Sequence, residues 1–314
     1  MEKSGTALQS LSTLFHHPPS PVQELQSPLL AEKGVRLLVK RDDLLALSEN
    51  GGFCGNKWRK LQYNLIEARA QGKKRLLTFG GAFSNHIAAV AEAGEVFGFE
   101  TIGVIRGEAP ATPSHTLQLA AARGMQLHYT SRSDFRRKTD PEWIASLVEK
   151  YGDCYVLPEG GTNKLALDGC RTLVEEIRVQ CADTLPDYYC VACGTGGTLA
   201  GVIAALNGQA KAIGFSALKG RFMHDAVAQL LSEYGAGSFN QWEIQDSYHF
   251  GGYAKTTPEL FAFMDTFLGE HGIPLDRVYT AKLFFGLFDL IEKGYFEPGS
   301  LVVAIHTGGL QGNL

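Results

Sequence analysis

From Arg75 onward the chain repeats one cadence: a short aliphatic or β-branched run, a glycine, then a longer segment whose apolar residues recur at helical spacing. That rhythm selects parallel sheets flanked by helices, because two parallel strands need a long crossover between them and the crossover is usually helical. The predicted strands are Arg75 to Phe79, Thr101 to Ile105, Gln126 to Tyr129, Cys154 to Pro158, Tyr188 to Cys193, Ala212 to Ala217 and Leu301 to His306. Most carry few polar residues, as strands covered on both faces do. The predicted helices are Lys57 to Gln71, Asn85 to Phe97, Pro113 to Arg123, Pro141 to Tyr151, Lys164 to Val179, Gly197 to Leu206, Pro258 to His271 and Ala281 to Lys293. Trp58, Leu61, Leu65 and Ala68 fall on one helical face, and Pro113 and Pro141 suit first-turn positions. The fold class is α/β with mostly parallel strands.

At 314 residues the chain exceeds what a single core sustains, so two domains are expected. Lys+Arg 29 against Asp+Glu 33 leaves a net charge of −4, which offers no electrostatic footprint for nucleic acid or an anionic membrane. The longest apolar stretches, from Leu199 and from Leu283, fall far short of the roughly 18–20 residues that span a bilayer. Glu2 and the Ser/Thr/Gln interruptions that follow do not make a secretory signal, and His16 to Pro21 reads as a leader before the fold. Six cysteines are too few for a disulfide scaffold, and free thiols in apolar segments point to a cytoplasmic protein. Ser131 to Asp140 reads as a solvated loop, and Ser232 to Gly252 carries no assignable pattern.

Four segments carry chemistry. In the first, Lys57 sits in a Gly-Asn-Lys step at a helix start, flanked by Gly51, Gly52 and Gly55. A lysine at the positive end of a helix dipole is misplaced for stability, so it is either a solvated neighbour of Arg59 and Lys60 or a functional amine suited to Schiff-base formation. In the second, Gly194, Thr195, Gly196, Gly197 and Thr198 join a buried strand to a helix, a sequence whose backbone N–H groups cradle phosphate without a basic side chain. The dinucleotide fingerprint wants glycine where Leu199 stands, a Walker loop wants Gly-Lys-Ser/Thr, and a tight turn without a ligand is the plain alternative. In the third, Ser84 and Asn85 open an Ala-rich helix, either as caps or as donors to a substrate carboxylate and a cofactor oxygen. In the fourth, Thr307 stands just past the last buried strand, where ligands of open α/β sheets gather. Cys190 and Cys193 form a CxxC, but no second pair completes a four-ligand metal site, so no metal is expected.

These segments, with PEGGTN (Pro158 to Asn163) and YTAK (Tyr279 to Lys282), resemble in identity and order the pyridoxal-phosphate enzymes of the 1-aminocyclopropane-1-carboxylate (ACC) deaminase and D-cysteine desulfhydrase family. The resemblance runs from about Ser20 to the C-terminus. It implies fold type II, like the tryptophan synthase β chain: two open, twisted, mostly parallel sheets flanked by helices. Residues 1–44 and 158–314 would form the larger cofactor domain and 45–157 a smaller inserted one. It implies pyridoxal 5'-phosphate as cofactor, a small amino acid as substrate and a homodimer.

By position in the shared motifs, Lys57 resembles the lysine that holds the cofactor covalently and then takes the Cα proton. Asn85 matches the partner of the cofactor's phenolic oxygen, Ser84 the substrate-carboxylate residue, and Gly194, Thr195, Gly196, Gly197 and Thr198 the phosphate loop. Tyr279 matches a tyrosine at the substrate face and Tyr253 a second. Where Thr280 stands, ACC deaminases place a glutamate that keeps the pyridine nitrogen protonated; a threonine hydroxyl, from Thr307 first or Thr280 second, leaves it neutral and the ring a weaker electron sink. Elimination of a good β leaving group tolerates the weaker sink. The expected function is therefore D-cysteine desulfhydrase-like β-elimination to pyruvate, ammonia and sulfide, with ACC deamination and a non-catalytic pyridoxal-phosphate-binding protein as the alternatives.

Overall fold

The computed structural model describes residues 18–45, 55–182, 184–235 and 239–313; Gly51 and Gly52 of the lysine motif, and His16 and His17 of the expected leader, lie outside them. The strands are β1 (Val22–Leu25), β2 (Arg36–Lys40), β3 (Arg75–Gly80), β4 (Glu100–Arg106), β5 (Gln126–Thr130), β6 (Cys154–Leu157), β7 (Tyr188–Cys193), β8 (Lys211–Ser216), β9 (Trp242–Gln245) and β10 (Leu301–Ile305). They form a six-stranded sheet in the order β1-β2-β10-β7-β8-β9 and a four-stranded sheet in the order β5-β4-β3-β6. Every pairing is parallel except β1 with β2. The smaller sheet comes wholly from the chain between Arg75 and Leu157, and the larger from segments on either side.

The helices are α1 (Pro28–Lys33), α2 (Asn56–Ala70), α3 (Asn85–Phe97), α4 (His115–Ala122), α5 (Arg132–Phe135), α6 (Pro141–Tyr151), α7 (Lys164–Gln180), α8 (Gly197–Leu206), α9 (Phe222–Tyr234), α10 (Pro258–His271) and α11 (Thr280–Glu292). Because helices cover both faces of each sheet, the unbroken apolar strands have somewhere to put every side chain. Along β10, Val302 and Ala304 enter one core while Leu301, Val303 and Ile305 enter the other. The same alternation sends Cys190 and Cys193 of β7 to opposite faces, so the CxxC spacing cannot close on one metal ion.

Three sequence expectations change. Pro113 precedes α4 rather than opening it: Ser114 is the cap, its hydroxyl accepting from Leu117 N. The stretch from Ser131 to Asp140 is not wholly a solvated loop, because Ser131 caps the short α5 and Phe135 is buried against Phe79. The unassigned Ser232 to Gly252 contains the end of α9 and the edge strand β9.

Helix packing sets the site. A Cβ on Gly169 of α7 would stand 1.8 Å from the Arg59 carbonyl oxygen of α2, so only glycine lets these helices approach so closely. Among the described residues no helix is long and apolar enough to cross a membrane.

Candidate active site

A cavity of about 260 Å³ opens where the chain leaves the carboxyl ends of β3, β4, β6, β7 and β10, the place where ligands of open parallel sheets collect. Its floor includes the first turn of α2. Gly55 enters that turn at φ 53°, and a Cβ there would lie 2.3 Å from the Thr307 carbonyl oxygen, which instead accepts a hydrogen bond from Asn56 N at 3.2 Å. The start of α2 is thereby sewn to the end of β10.

Lys57 and Lys60, three residues apart on α2, line the same cavity, whereas Arg59 points away. Lys57 Nζ donates to Asn56 Oδ1 at 3.2 Å. Burial first, and then the charge of Lys60, bring its ammonium down from 10.5 to about 7. Lys60 is also lowered, by burial, and donates to Gly160 O at 3.2 Å and Thr162 Oγ1 at 3.1 Å. Two desolvated lysines on one wall make a place for an anion.

The glycine loop after β7 supplies the other half. Gly196 caps α8 at φ 77° with no side chain bonded into the first turn, so the leading N–H groups of the helix are left for a ligand. A Cβ on Gly197 would come within 2.7 Å of Thr162 Cγ2 and 3.0 Å of Lys60 Nζ, filling the cradle. Asn56 Nδ2 donates to Thr198 Oγ1 at 2.9 Å, and the Thr162 and Thr195 hydroxyls pair at 2.7 Å. Gly194 lies against the Tyr279 ring.

The other expected residues divide. Ser84 caps α3, accepting from Ile87 N at 3.3 Å, and it also lines the cavity with Asn85. Asn85 Oδ1 accepts from Gln311 Nε2 at 2.8 Å. Tyr279 and Tyr253 line the cavity with ring centroids 6.3 Å apart. Burial, then the nearby Tyr253 and Asp276, hold Tyr279 well above the usual phenol range, so it stays a donor. Thr307 is on the wall; Thr280 is not. The Thr280 hydroxyl is fully buried and donates to Asp276 Oδ2 at 2.9 Å while accepting from Asp276 N at 2.8 Å, a capping pair for α11 that removes it from any ring partnership.

Lys60, Asn56, Arg106, Glu159 and His86 also line the cavity and were not singled out as site residues from sequence. Lys60 was within reach of helical spacing, three residues past Lys57; Arg106, one residue beyond the predicted strand Thr101 to Ile105, carried no such signal. His86 Nε2 lies 2.8 Å from Thr78 Oγ1, whose proton goes to Leu157 O, so the imidazole donates and remains neutral, its ionisation held far below 6.5 by burial.

The donor set fits a phosphate ester with a reactive carbonyl: main-chain amides and Lys60 for the phosphate, a lysine of lowered basicity for the carbonyl. The chain belongs to the pyridoxal-phosphate dependent enzyme family, whose pattern matches residues 14–308. Its cofactor is pyridoxal phosphate, and it is an enzyme of the deaminase and desulfhydrase kind. A Pyrococcus horikoshii protein provisionally named 1-aminocyclopropane-1-carboxylate deaminase is 33% identical over 93% of this chain and 90% of its own length. The Arabidopsis thaliana bifunctional D-cysteine desulfhydrase/1-aminocyclopropane-1-carboxylate deaminase is 31% identical over 94% of this chain and 77% of its own. A solved structure of an ACC deaminase homologue superposes with a TM-score of 0.82 at 31% identity, covering 98% of this chain and 96% of that one.

Proposed function

We propose that the protein eliminates a β substituent from a small amino acid and releases pyruvate and ammonia, with D-cysteine as a substrate and sulfide as the third product. The observation that carries this reading is the wall opposite chemistry demands: Lys57, with an amine free near neutral pH, shares one cavity with an uncapped helix start and a hydroxyl, Thr307, where a stronger acid partner would be a carboxylate. Bound pyridoxal phosphate supplies an electron sink for the pair left when a Cα proton departs.

The chain's own residues do the rest. The amides of the 194–198 loop, with Lys60, grip the phosphate. The N-terminus of α3 at Ser84 and Asn85 receives the substrate carboxylate: the Ser84 oxygen accepts from Ile87 N, and its proton stays available to donate. Lys57 Nζ takes the Cα proton, and Tyr279 holds its phenolic proton toward the substrate. The roles of Tyr253, Asn85 and Thr307 follow the same reading, as does the division into an inserted domain, 45–157, within a larger one, supported by the strand membership of the two sheets. A cytoplasmic protein belongs to it too, supported by free cysteines at 154, 170, 181, 190 and 193, and a homodimer is expected from the family resemblance.

ACC deamination is the second reading, favoured by the names of relatives. Turnover of both compounds by the cofactor-loaded enzyme decides between them: pyruvate and sulfide from D-cysteine are expected, and 2-ketobutyrate from ACC as the dominant product would overturn the choice. Borohydride reduction followed by peptide mapping places a pyridoxyl group on Lys57, and Lys57→Ala abolishes turnover; an unmodified Lys57 would sink both readings.

A further inference from the structure

With Lys57, the phosphate cradle and the α3 start assigned, two charges on the cavity wall have no duty, and their surroundings differ. Glu159 Oε2 lies 3.4 Å from Lys138 Nζ, so its charge is met. Arg106, the exposed last residue of β4, makes no ion pair among the described residues; its guanidinium lies 5.9 Å from the face of Phe135 and near Gly81, where an added Cβ would lie 3.5 Å from Arg106 Nη2. That places the guanidinium beside the Gly81 to Ser84 turn, which leads into the carboxylate-binding helix start. Tyr253, whose hydroxyl donates to Phe83 O at 3.3 Å, is near enough to feel its charge.

A guanidinium is a planar fork of donors suited to carboxylates and other oxyanions. A thiol or a cyclopropane ring makes no use of such a group. We propose that Arg106 is a subsite for a second anionic group, so that small amino acids carrying an anionic side-chain group bind more tightly than neutral ones, and those whose anionic group can leave from Cβ, a sulfonate or a phosphate ester, are turned over alongside D-cysteine. The proposal rests on the amino-acid reading of the site. Its rival is that Arg106 grips the α-carboxylate, in which case it helps every amino acid equally.

The test titrates the cofactor-loaded protein with alanine, serine, aspartate and cysteate, each as both enantiomers, and follows the cofactor's visible absorption. For the hand that binds, the anionic compounds are expected to bind about tenfold to a hundredfold more tightly than the neutral ones, the range of one charge-assisted hydrogen-bonded contact. Added salt weakens the anionic compounds more steeply. Arg106→Gln draws the neutral-to-anionic Kd ratio toward one, and Arg106→Lys recovers part of it. No preference in the wild-type protein overturns the proposal, as does a loss in Arg106→Gln that is equal for alanine and cysteate. If Arg106→Gln does not load cofactor, the salt dependence of the wild-type protein decides. Absorption that no amino acid changes removes the amino-acid reading itself, an outcome distinct from binding without preference.

Discussion

At Lys57 two effects push the same way, since both burial and the charge of Lys60 disfavour an ammonium, and the amine is therefore free above about 7 instead of above 10.5. Below that value each pH unit removes roughly a factor of ten in free amine. The rate at which cofactor-free protein captures pyridoxal phosphate is expected to climb with pH and level off above about 7, and Lys60→Met to move the break upward. A break near 10 in stopped-flow absorption would show Lys57 to be solvated, the alternative its sequence position left open. The sign for stability follows: between about 7 and 10.5 the unfolded chain holds a proton on Lys57 that the folded chain lacks, so this residue's penalty is full below 7 and fades as pH rises. Lys57 could be singled out in sequence because a cation at a helix start is anomalous. Arg106 could not, because an arginine ending a strand is ordinary until its neighbours are seen to lack a carboxylate.

Among the elements, α11 does more than pack. Lys282 is buried, lowered to about 8 by its surroundings, and donates to the carbonyls of His249 at 2.9 Å, Gly252 at 2.8 Å and Ala217 at 3.4 Å. It holds a turn in which Phe250, Gly251, Gly252 and Ala254 all take positive φ, and this turn presents Tyr253. Lys282→Met strands those carbonyls and is expected to cost about 1–3 kcal/mol. Hydrogen exchange should then quicken in the amides from 249 to 255 while those of α8 stay protected; uniform quickening would mean that the clasp serves the whole core instead. This turn lay in the stretch without a readable pattern, for a physical reason: its order comes from one lysine thirty residues downstream and from backbone angles. β9 escaped notice because it is four half-buried residues at a sheet edge, and β1 with β2 because their segment is short and mixed. Most of the legible strands are buried on both faces, and their apolar runs leave little choice; β5, a half-buried edge strand, was legible from its alternation alone.

On the scale of the molecule, Arg59 ties together segments distant in sequence. Its guanidinium meets Asp42 Oδ2 at 2.7 Å and Oδ1 at 2.8 Å, and Glu176 Oε1 at 2.7 Å and Oε2 at 2.9 Å, while Lys40 Nζ reaches Glu176 Oε2 at 2.7 Å. Arg59 and Asp42 are all but sealed from water, so Arg59→Met removes the guanidinium that pairs with Asp42. The expected loss is about 3–5 kcal/mol, read from the urea midpoint, with the double variant that adds Asp42→Asn regaining part of it. Full additivity of the two changes would show the pair to be uncoupled. From sequence Arg59 had only its plain reading, a neighbour in a charged run, because the burial of its charge depends on partners 17 and 117 residues away.

The position of β10, between β2 and β7, also has a bearing on synthesis. Although it follows β7, β8 and β9 in the chain, β10 is an inner strand, so the larger sheet stays as two half-sheets with an open slot until β10 has been made. The smaller sheet, complete by Leu157, is free to form much earlier. The first turn of α2, tied through Asn56 N to the Thr307 carbonyl, is fixed in place only once β10 has joined the sheet.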